Sequence, residues 1–230
     1  MDETGVRASM DGKGQALENI RTERFFRTLK GVGYMELNGY QKLCEELNKI
    51  YRIPEVEIKN IRNVFASVKQ RKGDKFACEG DIPESIGFVV SGLYKYYYID
   101  RNGDECIKHF TKENDFVASY ASFIMRKPSL YYIEALEGSE LLVIQYSDYI
   151  RGVESSTFWQ NIARKYAEKM YIIKELREGS FLKETAQDRY VQFIKENPNL
   201  QGRINQKNIA SYLGIAPESL SRIKSKLNLT

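Results

Sequence analysis

The chain's 230 residues suffice for one sizeable core or for a larger and a smaller domain, and its 42% hydrophobic and 29% charged residues exclude the disordered and fibrous classes. No apolar run approaches the roughly 18 to 20 residues of a membrane span, and the N-terminus lacks the charged-then-apolar order of a signal peptide, so a cytoplasmic location without a membrane partner is expected. The net charge of +4 equals the excess of the last thirty residues, where Arg203, Lys207, Arg222, Lys224 and Lys226 stand against the single acid Glu218, which marks the C-terminal end as the one facing a polyanion.

Residues 1–50 read as an N-terminal extension and a capping helix. The first fifteen or so are rich in glycine and charge and are expected to be mobile, with Met10 or Met35 as alternative starts. Leu37, Tyr40, Leu43, Cys44 and Leu47 then recur at helical spacing and predict an amphipathic helix.

Residues 51–155 change character. From Arg71 to about Ile144, β-prone runs alternate with Gly, Asp and Asn punctuation, as an antiparallel roll requires. The clearest strands are Phe88 to Val90, Tyr94 to Ile99, Cys106 to Phe110, Tyr132 to Leu136 and Glu140 to Ile144. Asp100-Arg101-Asn102-Gly103 joins two of them, with Asn-Gly supplying the positive φ angles of a tight hairpin.

Over residues 156–178, Trp159, Ala163, Tyr166, Met170 and Ile173 recur with steps of four, three, four and three, a short heptad seam. Such a stripe serves an intramolecular core as readily as a dimer contact. If the basic C-terminal end binds DNA, whose two-fold operators demand two copies, the reading becomes a dimerisation helix and a homodimer.

Within residues 179–230 a two-helix unit is expected from Gln206 onward. Ile209 and Leu213 share one helical face, Leu220 and Ile223 a second, and Ile215 lies between them. Ala210 is small where the helices would cross. Gly214 can take the left-handed conformation that ends the first helix, and Pro217 suits the first turn of the next. The residues expected to meet double-stranded DNA are Gln206, Lys207, Glu218, Ser219, Ser221, Arg222, Ser225 and Lys226, short polar groups and long cations able to reach base edges and phosphates.

These strings carry a family resemblance. Lys72-Gly73-Asp74-Lys75-Phe76, Glu79-Gly80-Asp81 and Gly87-Phe88-Val89-Val90-Ser91-Gly92 resemble the cyclic-nucleotide-binding fold of the catabolite activator and fumarate-nitrate regulator family. Asp100 to Glu105 resembles that family's hairpin, Asn114-Asp115-Phe116-Val117 the start of its phosphate-binding cassette, and Ile204 to Leu227 its helix-turn-helix. The resemblance implies an α+β fold: an antiparallel β-roll (a cyclic-nucleotide-binding-like jelly roll), a long dimerisation helix and a C-terminal (winged) helix-turn-helix. It implies a transcription regulator in which a small-molecule effector at the roll shifts the helix and respaces the DNA-reading helices, with RNA polymerase as a further partner.

The pattern also departs from the family's. Cyclic-AMP-binding members place a glutamate and an arginine in the cassette; here Ser119 and Ser129 stand in their places, so an effector other than cyclic AMP is expected. Replacing a charge-assisted fork by a hydroxyl forfeits on the order of 1.5 to 3 kcal/mol. Arg126 and Lys127 are nearby cations that would have to substitute. The effector pocket is assigned to Val117, Ala118, Ser119, Tyr120, Ser129, Leu130 and Tyr131, with Tyr132 also near its mouth. Pro217 replaces the arginine that opens many relatives' recognition helices, while Glu218 and Arg222 match and would contact cytosine and guanine or phosphate. With Thr230 so close behind, the wing is expected to be shortened or absent.

Catalysis, metal and cofactor are not expected. Barrel oxidases need two or three histidines on one metal and this chain has only His109; the three cysteines Cys44, Cys78 and Cys106 are scattered without C-x-x-C spacing and read as free core residues. Two rival readings remain: an effector-independent dimeric DNA-binding protein, and a nucleotide-binding-like module acting on a protein partner.

Overall fold

A computed structural model describes residues 34–228, with side chains described from Asn38. The extension before Tyr34, including Met10, lies outside the described residues. Residues Gly39–Thr230 cluster as one compact unit; the described residues of the other unit, Met1–Asn38, open the first helix.

That helix, α1 (Tyr34–Ile50), buries Tyr40, Leu43 and Leu47, with Cys44 half-buried between them, as the amphipathic spacing predicts. A second helix, α2 (Glu55–Val64), leads directly into the roll. Eight strands follow: β1 (Phe65–Gln70), β2 (Lys75–Ala77), β3 (Ser85–Ser91), β4 (Tyr94–Ile99), β5 (Glu105–Thr111), β6 (Phe116–Val117), β7 (Tyr132–Ala135) and β8 (Ser139–Gln145). They form two antiparallel four-stranded sheets, ordered β1-β8-β3-β6 and β2-β7-β4-β5. All five expected strands are present. The roll starts earlier than the sequence suggests, because β1 pairs Phe65 with Ile144 along the whole of β8.

The central strands are covered on both faces, which explains why strands such as Leu141-Leu142-Val143-Ile144 run apolar without alternation. Between the sheets, Val89, Tyr94, Tyr96, Val117, Tyr131, Ile133, Leu141 and Val143 form a shared core. Behind the first sheet, Phe65, Phe88, Leu142 and Ile144 pack on Leu43, Leu47, Tyr149, Trp159 and Ile162 of three helices. Behind the second, Tyr97, Ile107 and Phe110 pack on Tyr190, Phe193, Leu213 and Leu220 of the C-terminal region.

The β4–β5 hairpin differs from the expected two-residue turn. Gly103 takes positive φ (85°) and Asn102 does not; Asp100 Oδ1 instead accepts hydrogen bonds from the backbone N–H of Asn102 and Asp104. An aspartate at the turn's first position thus organises a longer loop with a single left-handed glycine.

After the short α3 (Tyr120–Met125) and after α4 (Tyr146–Ser155), the connecting helix α5 spans Thr157–Lys183. The expected seam divides along it. Trp159 and Tyr166 are buried against the chain's own roll, and Ala163, Met170 and Ile173 are half-buried; the exposed large apolar residues are Tyr171, Ile172, Leu176, Phe181 and Leu182. The first half of the stripe is therefore intramolecular core, because the roll's apolar back face needs a cover. Helix α6 (Ala186–Glu196) opens on a capping box in which Thr185 and Asp188 each satisfy the other's backbone N–H. The last two helices are α7 (Gln206–Leu213) and α8 (Pro217–Lys226).

Candidate nucleic-acid interface and effector site

Asn205 caps α7, its side chain accepting from Asn208 N–H, and Gly214 (φ 71°) ends it with N–H groups returned to the carbonyls of Ala210 and Ser211. A Cβ at Gly214 would lie 2.8 Å from the Phe181 ring, a second reason for glycine there. Pro217 opens α8, as expected, and Leu220 is fully buried beside Ala210 and Leu213. That packing turns Glu218, Ser221, Arg222, Ser225 and Lys226 outward to solvent, with Ser219 half-buried. Gln206 and Lys207 are exposed at the start of α7.

Not all of the C-terminal charge is free. Arg203 turns toward the roll, where Nη2 lies 2.6 Å from Glu113 Oε1 and also pairs with Glu137. Lys207 Nζ lies 3.6 Å from Asp104 of the β4–β5 turn. Among the described residues, Arg222, Lys224 and Lys226 have no carboxylate at ion-pair distance, so within the last thirty residues the unpaired positive charge lies on α8.

Helix α7 covers β5, the edge of the second sheet. The Ser211 hydroxyl accepts from Ile107 N–H (2.9 Å) and donates to the Glu105 carbonyl (2.8 Å), closing two edge groups that would otherwise seek another strand. Arg177 of α5 stacks on Tyr212 (3.9 Å) and donates to its carbonyl (2.8 Å). The two-helix unit is thus held by the roll on one side and the connecting helix on the other.

In the cassette, Phe116 and Val117 pair with Phe88 and Gly87 of β3, and Val117, Ala118, Ser119, Ser129 and Tyr131 are all buried. The Ser129 hydroxyl lies 3.0 Å from that of Ser119 and 2.7 Å from the Tyr131 carbonyl. The Tyr96 hydroxyl accepts from Ala118 N–H (3.2 Å) and from Thr111 (3.1 Å), and burial pushes its phenol far above the usual value. Every polar group of this buried cluster meets another protein group.

Two of the assigned pocket residues fall elsewhere. Leu130 is 68% exposed and points away from the cluster. Tyr120 lies on the other side of the cassette, its hydroxyl 3.2 Å from that of Tyr149, lining an apolar cavity of about 30 Å³ with Phe116, Ile144, Trp159 and Tyr166. Arg126 is committed to the Pro83 carbonyl (2.7 Å), Glu84 and the Tyr146 ring, so it does not stand in for the cassette arginine.

The sequence reading missed the roll's cationic side. Lys108 Nζ lies 3.7 Å over the Tyr131 ring, and burial together with Lys174 lowers its pKa to about 8. His109 packs edge-on against Tyr96 at 5.4 Å; burial drives its pKa to about 4, with Lys108, Arg177 and Lys169 adding to the effect and Asp115 opposing it. It stays neutral at pH 7. The signal was present in the string Ile107-Lys108-His109-Phe110, where two polar residues, not one, separate two apolar ones.

This geometry defines a cyclic-nucleotide-binding type of roll joined by one long helix to a two-helix unit. Residues 67–156 match the family described as the cyclic nucleotide-binding domain. The fold is that of the catabolite activator and fumarate-nitrate regulators, as the resemblance implied. FixK2 from Bradyrhizobium japonicum is similar at 21% identity and TM-score 0.61, over 72% of this chain and 85% of that one. The c-di-GMP responsive global regulator CLP of Xanthomonas campestris is similar at 15% identity and TM-score 0.60, over 76% of this chain and 92% of its own. The sensor domain of the regulator DNR from Pseudomonas aeruginosa aligns at 20% identity and TM-score 0.50, over 64% of this chain and 95% of that one. No curated protein sequence matches the chain. Among the described residues no helix is long and apolar enough to cross a membrane, and no group of three His, Cys, Asp or Glu side chains is placed to hold a metal.

Proposed function

We propose that this chain is a cytoplasmic, non-enzymatic transcription regulator that binds double-stranded DNA as a homodimer through α8 and responds at its roll to an effector other than cyclic AMP. One observation carries the reading: α8 buries Leu220 while presenting Glu218, Ser221, Arg222, Ser225 and Lys226 to solvent, and among the described residues its cations have no carboxylate at ion-pair distance. Such a helix, short side chains flanking long cations, fits a major groove, and Gln206 and Lys207 at the start of α7 would reach the flanking phosphates. Residues 1–50, 51–155, 156–178 and 179–230 serve as extension and cap, sensor, dimer helix and DNA reader. RNA polymerase is the further partner such a regulator addresses.

Selection from random duplexes tests this. Wild type should enrich a two-fold symmetric site, with binding that weakens steeply with salt, and Arg222→Ala should lose that site. Equal, weak, sequence-independent binding by both would overturn the assignment of α8.

A second reading is supported by the Ser119, Ser129 and Tyr131 cluster, whose polar groups satisfy one another inside the roll. On that reading the roll is a scaffold and DNA binding needs no effector. It predicts the same operator affinity with and without any added small molecule.

A further inference from the structure

Helix α7 leaves the carbonyls of its last turn, those of Ala210, Ser211, Tyr212 and Leu213, without partners inside the helix. The chain just beyond supplies N–H groups to two of them, from Gly214 to Ser211 (3.0 Å) and from Ile215 to Ala210 (3.0 Å). Helix α8 then opens on Pro217, which has no N–H to give. The other two carbonyls are taken by arginines of distant elements. Arg177 of α5 donates from Nη2 to Tyr212 (2.8 Å), and Arg189 of α6 donates from Nη2 to Leu213 (3.0 Å).

The two guanidinium groups meet on one ring. Arg177 lies 4.7 Å and Arg189 4.6 Å from the centre of Phe181, near the end of α5, and that ring fills the space a Cβ at Gly214 would need. Arg189 also donates from Nη1 to the Glu184 carbonyl (2.7 Å), just past α5, so one side chain joins α5, α6 and α7. Among the described residues neither arginine has a carboxylate at ion-pair distance, and Arg189 Nε is buried without a hydrogen-bond partner. Two like charges and an unsatisfied donor add little stability that apolar side chains of the same volume would not add as well. What apolar side chains cannot do is aim at a carbonyl. A planar fork held on a ring fixes both the distance and the direction of the groups it meets.

We infer that Arg177 and Arg189 are positioning residues for DNA recognition: clamped on Phe181, they fix the last turn of α7 and with it the angle at which α8 leaves. The inference rests on the reading of α8 as the DNA reader. Within α8 only Leu220 is fully buried, so the turn before it has most of the control over its direction. A ten-residue helix is roughly 15 Å long, so a tilt of about 10° carries its far end roughly 2.5 Å, more than a hydrogen bond to a base edge tolerates. Long cations reaching for phosphates tolerate such a shift far better, so loosening the turn should cost sequence selectivity before it costs general affinity.

Arg177→Gln and Arg189→Gln in the full chain test the clamp, beside Lys195→Gln, which removes an exposed cation of α6 and controls for lost charge. Hydrogen exchange at the amides of Gly214 and Ile215 reads the turn without DNA. Each arginine variant should speed it about tenfold or more, while amides of β3 and β8 keep wild-type protection. On the operator selected by wild type, fluorescence anisotropy should show each arginine variant binding about tenfold or more weakly, with a scrambled duplex and its salt dependence changed less than about twofold. Arg177→Lys should recover part of the operator binding, because an ammonium still donates to the Tyr212 carbonyl. Arg189→Lys should not, because one ammonium cannot span the Glu184 and Leu213 carbonyls as the fork does. Both lysine variants keep charge and length, so they should fold even if the glutamine variants do not. Turn exchange unchanged in all four arginine variants, or equal losses on operator and scrambled duplex that track the melting temperature, would overturn the inference. If Arg222→Ala loses the operator while the arginine variants keep it, the positioning role falls and α8 stands as the reader. If wild type selects no operator, the positioning role falls together with that reading, and the exchange rates alone decide whether the arginines hold the turn.

Discussion

The Ser119 and Ser129 hydroxyls lie 3.0 Å apart, each about 1% exposed, at the two positions where cyclic-AMP-binding relatives are expected to carry a glutamate and an arginine. Two charges that would need a ligand are thus replaced by two neutral groups whose partners, each other and the Tyr131 carbonyl, the protein itself supplies. Ser129→Ala should cost about 1 to 2 kcal/mol in urea unfolding, since it strands buried partners of the hydroxyl. Cyclic AMP should leave the melting temperature of wild type unchanged. A saturable upward shift would show that the serines open to admit it.

Arg203 joins the two-helix unit to the roll through Glu113 and Glu137. For Glu113, burial opposes ionisation, but hydrogen bonds from Arg203 and from the backbone N–H of Gly92 outweigh it and hold its pKa below the usual 4.5. A carboxyl with a depressed folded-state pKa contributes stability that is present above the unfolded value and is lost as the pH falls through the folded one. Arg203→Leu should therefore destabilise the chain by about 1 kcal/mol or more at pH 7. The difference from wild type should shrink as the pH is lowered below 4.5, the range in which Glu113 takes up its proton. A difference that is constant from pH 7 to pH 3 would mean that packing of the arginine stem, not charge, is what matters.

Gly214 has φ 71° and the Phe181 ring within 2.8 Å of where a Cβ would go. Gly214→Ala should cost about 1 to 3 kcal/mol from the left-handed backbone alone. Because the strain falls on the turn that orients α8, operator affinity should drop with it, measured by fluorescence anisotropy on a selected duplex. Full affinity would mean that α8 docks on DNA independently of its turn.

On α5 the exposed apolar residues Ile172 and Leu176 lie four apart, one turn along the helix, with Tyr171 and Leu182 flanking them. An apolar stripe of this kind is costly to leave in water, and a second copy of α5 would cover it. Ile172→Glu should convert a dimer into a monomer, read by sedimentation equilibrium, with the dimer dissociation constant raised about a hundredfold or more. Ala163→Ser, on the half of the stripe that faces the roll, should leave the oligomeric state alone. If Ile172→Glu stays dimeric, the interface lies elsewhere.

What the sequence determined by itself is local. Spacing of apolar residues placed α1 and the two C-terminal helices; Gly214 and Pro217 marked the turn between them; the β-prone runs marked five of the eight strands. These are readable because each depends on neighbours a few residues away, through backbone conformation or one face of one element. Tertiary structure decided everything that depends on what covers a face. Trp159 and Tyr166 looked like a dimer seam and became core because the back of the first sheet lies beside them. Arg203, counted with the DNA-facing charge, was claimed by Glu113 and Glu137, which lie 90 and 66 residues away. Lys108 and His109 share a side only because β5 carries one residue more than its partner, and a bulge is a property of the pairing of two strands, not of either strand alone.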